Sequence, residues 1–322
     1  MRVSFFGIGL LLAALGLTTV DSDLERAEFG HGLTATDSSA GWISLFDGAT
    51  TFGWEGARVE NGHLRGGLTT AAFDAYELRA EVERGGSIRI GGRDFHLRTG
   101  RFARRVNGSA TAIALGEGLS LRKLQLRPMR LKALFNGKDL ADWKRIDQPM
   151  LAADRRPKFE VAEGTLRIVG GPGALEYQGG QLGELVLQVE VRTRARYANS
   201  GLFFRSIPGA FIQGYEAQVY NRCEGGDPSK PARWCTGAID DRQNARRLVS
   251  PDHEWFTMTV VAHGPKLATW VNGMQQTDWS DPRPPHENPR LGARVAAGTI
   301  QLQAHDPMTD VEVRSVRARE LR

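Results

Sequence analysis

The chain has 322 residues, 41% hydrophobic and 25% charged, with 38 glycines and 14 prolines. It is long enough for two cores, and its turn-rich composition argues against a helical bundle. The formal charge is only +5, and the basic residues are interspersed with acids. The densest basic run, LRKLQLRPMRLK (121–132), alternates basic with apolar residues as a half-buried strand does, so a nucleic-acid partner is not expected.

Taken from the N-terminus, Arg2 precedes the apolar run Val3–Val20, and the chain turns polar at Asp21. This predicts a signal peptide over 1–22, with an uncleaved anchor as the alternative. The mature protein is then periplasmic or secreted, with no stable membrane span. Residues 23–40 are expected as a flexible leader. SLFDGATTFGW (44–54) returns as ALFNGKDLADW (133–143), and the echo continues. VENGHLR (59–65) is answered by VAEGTLR (161–167), YELRAEV (76–82) by LVLQVEV (185–191), and LSLRKLQLR (119–127) by VEVRSVRAR (311–319). The pattern predicts a duplicated β module: a truncated, structural or accessory copy at 41–128 and a full copy at 132–322.

In the full copy, strand signals fall at 184–192, 201–207, 215–220, 255–263, 267–273, 298–305 and 311–320. HGPK (263–266) and Asn272-Gly273 read as tight hairpin turns. DPRPPHENPR (281–290) carries four prolines and reads as a loop, a rigid connector. No segment after the signal has the period of a helix of ten or more residues. Short antiparallel strands without helices mean an all-β sandwich, jelly roll or barrel. Cys223 and Cys235 are the only cysteines. An even count at short spacing in an exported protein predicts one disulfide, since a two-thiolate metal site lacks CxxC spacing and a second ligand pair.

Three strands break their apolar pattern with polar residues on one face. YEAQVY (215–220) places Glu216 and Gln218 together, IQLQAH (300–305) aligns Gln301, Gln303 and His305, and GLFFRSI (201–207) puts Arg205 with Gly201 and Phe203. Period alone leaves two readings open, a polar groove or an outward solvated face. Trp143 is a candidate to stack on a ligand with Lys144 beside it; a sandwich-core tryptophan and a solvated lysine is the alternative. An Asx turn accounts for Asn199, and Asp240-Asp241 reads as a solvated loop rather than a calcium site. No zinc motif, phosphate loop or serine nucleophile motif appears, so no cofactor is called for.

The ordered series LFNGKDLADW (134–143), LQVEVRTRARYANSGLFFRS (187–206), GYEAQVYN (214–221), TGAI (236–239), EWFTMTVVAHGPKLATWVNG (254–273) and GTIQLQAHDPMTDVEVRSVRARE (298–320) resembles the 3-keto-disaccharide hydrolases. The resemblance covers nearly all of 132–322 and implies a concanavalin A-like jelly-roll sandwich with a carbohydrate groove on its concave face. It also implies glycosides already oxidised at sugar C3 as substrates, cleaved by elimination and hydration. Such chemistry needs a base for the acidified C2 proton, a donor to the enolate oxygen and an acid for the leaving oxygen. The candidates are Glu216 and His305 for acid–base work, and Arg205, Gln218, Gln303, Trp143 and Lys144 for substrate binding. A non-catalytic sugar-binding module and an extracellular adhesion domain are the competing functions, because a jelly roll fixes neither.

Overall fold

The two opening motifs fold alike in the computed structural model, which describes residues 24, 26–148, 151–152 and 155–322. Asp47 accepts the backbone N–H groups of Ala49 and Thr50, and Asn136 accepts those of Lys138 and Asp139. Nine residues separate the partners of the next bond in each copy: the Trp54 indole N–H donates to the Leu45 carbonyl, and that of Trp143 to Leu134. An Asx turn folds the chain back, and the indole closes it while its ring enters the core. Each opening segment then pairs with its own copy's closing strand, Ile43–Ser44 with Ser120–Pro128 and Lys132–Ala133 with Asp310–Glu320.

The first copy forms a six-stranded and a five-stranded sheet. In the second, an eight-stranded sheet faces a five-stranded one. The latter runs in the order Trp143–Asp147, Gly173–Tyr177, Thr299–Ala304, Ser200–Ser206, Tyr215–Val219. All these pairs are antiparallel, giving the two-sheet jelly-roll sandwich expected of residues 132–322. The two hairpin turns also form: His263 pairs Lys266, and Val271 pairs Met274 across Asn272-Gly273, both at positive φ as a two-residue turn requires. The described helices are the five-residue Ala35–Ser39 and a short 3-10 turn at Glu224–Gly226.

Apolar runs such as TVVAH arise because the broad sheet of the second copy is covered on both faces. Leu185, Leu187, Met258 and Val260 point into its own sandwich. Val186, Val261, Ala268 and Trp270 point outward into the core of the first copy. The Trp270 indole donates to the Ser44 carbonyl at 3.1 Å, and Gln188 donates to the Gly41 carbonyl at 2.9 Å.

Two expectations need correction here. The leader is not loose over 26–40. Glu28 accepts both arms of the Arg247 guanidinium at 2.5 and 2.6 Å, Gly30 donates to the Asn272 carbonyl, and a Thr34–Asp37 capping box starts the short helix. Gly30 passes so close to Gly273 that a Cβ would lie 2.2 Å from its carbonyl oxygen. Nor do Cys223 and Cys235 form a disulfide. Backbone bonds close their loop instead, Ala232 to Arg222 and Cys235 to Ala232, and Cys235 packs with Ala238, Ala245 and Leu248. Burial, and then the nearby Cys223, push the Cys235 thiol up to about 12. The predicted signal peptide lies outside the described residues. Among those described, no helix is long and apolar enough to cross a membrane.

Candidate functional site

Register fixes which side chains of the five-stranded sheet share a face. One row across it reads Lys144, Glu176, Gln301, Phe203, Glu216, and the next reads Ile146, Ala174, Gln303, Gly201, Gln218. The opposite face, with Leu175, Leu202, Ala217 and Leu302, is the sandwich core. Continuing the strands by two residues adds His305, Asn199 and Tyr220 to the polar face. The segment 207–213 covers one end of it, held where Gln301 accepts the Ile212 N–H at 3.2 Å and donates to the Ala210 carbonyl at 2.9 Å. A cavity of about 410 Å³ remains, lined by Glu216, Gln218, Gln303 and His305 and walled by Phe211, Ile212, Trp234, Asp240 and Arg290.

Glu216 lies at its base and is buried. Residues 236–240 run along the strand Tyr215–Val219, with Gly237 donating to the Gln218 carbonyl and Asp240 to the Glu216 carbonyl. That pairing sets Asp240 beside Glu216, and one arginine reaches both carboxyls. Arg290 reaches in from the proline loop, 2.8 Å from Asp240 and 3.6 Å from Glu216. Burial, then the charge of Asp240, push Glu216 up to about 8 against the opposing pull of Arg290. Burial and the neighbouring carboxylate thus favour the protonated form of Glu216, the arrangement by which a carboxyl pair supplies one acid and one base.

The remaining polar groups divide into occupied and available. Glu176, also buried, accepts from Gly209, Thr299, Gln301 and Gln178 at 2.8 to 3.2 Å, so its oxygens are committed to the fold. Gln218 donates to Asn199 at 2.6 Å, which orients it; Asn199 thus does more than turn the chain. Gln303 is buried and lines the cavity, and its side-chain oxygen has no hydrogen-bond partner. A buried acceptor without a donor costs about 1–3 kcal/mol.

Residues 130–319, more than half of the chain, match the family of 3-keto-alpha-glucoside-1,2-lyase-like domains. The chain belongs to that family. No curated protein matches it. Among solved structures, it is similar to two candidate glycosyl hydrolases from Parabacteroides distasonis ATCC 8503. One shares 20% identity over 60% of this chain and 100% of that one, at a TM-score of 0.45. The other shares 18% over 60% and 94%, also at 0.45. A carbohydrate-binding module from Bacillus subtilis shares 12% over 56% of this chain and 98% of that one, at 0.37.

In this lyase-like domain the predicted residues Glu216, Gln218, Gln303 and His305 meet at one cavity. His305 stands at its rim, Nδ1 2.7 Å from the Asp306 carboxylate. Three others are placed elsewhere. Arg205 is fully buried away from the cavity and donates to the carbonyls of Gly183, Gly264 and Arg294. A register break between Phe203 and Ser206, with Arg205 at φ 50°, rotates it off the face that alternation assigned. Trp143 faces the core against Tyr177. Lys144 has the right face but sits exposed on the far edge strand, four strand spacings or about 19 Å from Glu216.

Sequence reasoning missed Arg290 and Trp234 and read Asp240 as solvated, whereas its side chain is largely covered beside Arg290; all three are supplied by loops. The proline loop is more than a connector. Arg283 donates to its Pro289 and Gly292 carbonyls and to Asp281, and Arg242 donates to the Arg290 carbonyl, so Arg290 is held in place.

Gly201 opposes Gln218 in the sheet, and a Cβ there would lie 2.2 Å from the Glu216 carboxyl. The glycine is the space into which Glu216 folds. Gly201→Ala is expected to displace that carboxyl and lower kcat/KM roughly tenfold to a hundredfold. Stability should fall by no more than about 1–3 kcal/mol. Steady-state kinetics beside denaturant unfolding check both halves.

Proposed function

We propose that the protein is an exported enzyme that cleaves glycosides of 3-keto sugars by elimination followed by hydration. The observation that carries this reading is the Glu216–Asp240 carboxyl pair, held by Arg290 at the base of a cavity that Gln303 also lines. The C3 ketone acidifies the C2 proton, and Asp240 removes it. The C2–H electrons become the C2–C3 double bond of an enolate, whose oxygen the Gln303 amide meets. Collapse of the enolate reforms the ketone, makes the C1–C2 double bond and breaks the C1–oxygen bond. Glu216 gives its proton to the departing oxygen. Water then adds across C1–C2, its hydroxyl to C1 and a proton to C2, with the carboxyls in reversed roles.

The test is turnover of a 3-keto-disaccharide by the purified protein across pH. Because the acid form of Glu216 is required and its pKa is about 8, kcat/KM should fall about tenfold per unit above that pH. A rate that stays flat to pH 10 removes Glu216 as the acid. Binding without turnover across several keto-glycosides identifies a sugar-binding module instead.

A further inference from the structure

The polar face does not end at the cavity. Glu216 and Gln218 are followed on the same strand face by Tyr220, whose ring lies 6.3 Å from that of Tyr197. Two residues along a strand span about 7 Å, so Tyr220 stands roughly 14 Å from Glu216, farther than one sugar ring reaches. Trp234 borders the cavity at this open end, whereas the segment 207–213 closes the other. Among the described residues six large hydrophobic side chains are exposed; Trp234 is one and lines the cavity, and Tyr197 is another, packed on Tyr220. An aromatic side chain left exposed in the lining of a cavity offers a ligand a flat face to stack on.

The chemistry of the platform is lopsided. It offers aromatic faces and cationic donors: Arg222 lies 5.5 Å from the Tyr197 ring and donates to the Tyr220 hydroxyl, and Arg233 lies 5.3 Å from the Trp234 ring. Of the side-chain acceptors nearby, Asn199 is committed to Gln218 and Asp241 to Arg233. A second sugar ring brings several hydroxyl donors that need acceptors. A flat aryl group needs stacking surface, and its phenolic or carbonyl oxygens need donors.

Resting on the elimination reading above, we propose that Tyr197, Tyr220 and Trp234 form a leaving-group platform that selects glycosides with a flat aryl aglycone bearing acceptor oxygens. The oxidised sugar occupies the closed end over Glu216, and the aglycone leaves across the aromatic end.

The experiment compares 4-nitrophenyl, methyl and glucosyl 3-keto-glucosides of one anomer with the wild-type protein and Trp234→Ala. The wild type should favour the aryl glycoside over the methyl one at least tenfold in KM, and Trp234→Ala should erase that preference. Equal KM for aryl and methyl glycosides overturns the platform, as does a loss in Trp234→Ala that is the same for both. A disaccharide bound as well as the aryl glycoside assigns the platform to a second sugar and overturns the aryl assignment. Binding of 4-nitrophenyl and methyl glucosides is measured in parallel by calorimetry and tryptophan quenching. If no keto-glycoside turns over but the aryl ligand still binds in a Trp234-dependent way, the platform stands and the elimination reading falls.

Discussion

Glu216→Gln is expected to lower kcat at least about a hundredfold while sugar binding survives. The amide keeps the shape and the hydrogen bond of a neutral carboxyl, yet it cannot pass a proton to the leaving oxygen. The same variant carries a thermodynamic signature that is independent of substrate. The folded pKa of Glu216, about 8, lies above the ordinary glutamate value of 4.5. Its contribution to stability is therefore complete below about pH 4.5 and is lost as pH rises through 8. Glutamine has no such loss. The melting temperature of Glu216→Gln should match the wild type near pH 5 and exceed it above pH 8. Unchanged turnover removes Glu216 from the chemistry. An unchanged gap in melting temperature across that range removes the raised pKa.

The residues legible from sequence are those on strands that keep their period. Glu216, Gln218 and Gln303 fall on one face because both their strands keep register with Ser200–Ser206 up to Phe203, which carries the face across the sheet. Arg205 was misplaced by one local irregularity, the break between Phe203 and Ser206, which period-two reasoning cannot see. Trp143 had a readable signal in its own echo. Trp54 occupies the matching position in the truncated copy and makes the same indole bond, so the motif builds a core and not a site. Thr34 and Asp37 likewise spelled a helix start, with a capping box short by one methylene of its usual form. Asp240, Arg290 and Trp234 carried no periodic signal. Their positions depend on loop closure by distant partners such as Arg283, which local sequence does not encode.

Arg205→Ala is expected to unfold the module more readily by about 3–5 kcal/mol, because it removes one partner from a buried charged network. The guanidinium is fully buried, and three backbone carbonyls depend on it: Gly183 at 2.7 Å, Gly264 at 2.8 Å and Arg294 at 3.0 Å. Glu184 adds an ion pair at 3.6 Å. Burial lowers the Arg205 pKa, but its five fixed donors and their geometry suit several carbonyls at once. These carbonyls belong to the lead into Leu185–Thr193, the hairpin turn after Phe256–His263, and the segment just beyond Arg290. Truncation leaves all three without a donor and opens a void among them. Arg205→Lys should fall between, since an ammonium keeps the charge but cannot reproduce the planar fork. Denaturant unfolding gives the measure: the midpoint drops while the slope holds, as for a pure stability change. A substrate-binding arginine behaves in the opposite way, with an unshifted midpoint and a raised KM, and that result would return Arg205 to the groove. The carbonyl of Arg294 lies four residues past Arg290, so some loss of kcat should accompany the loss of stability even though Arg205 never meets the sugar.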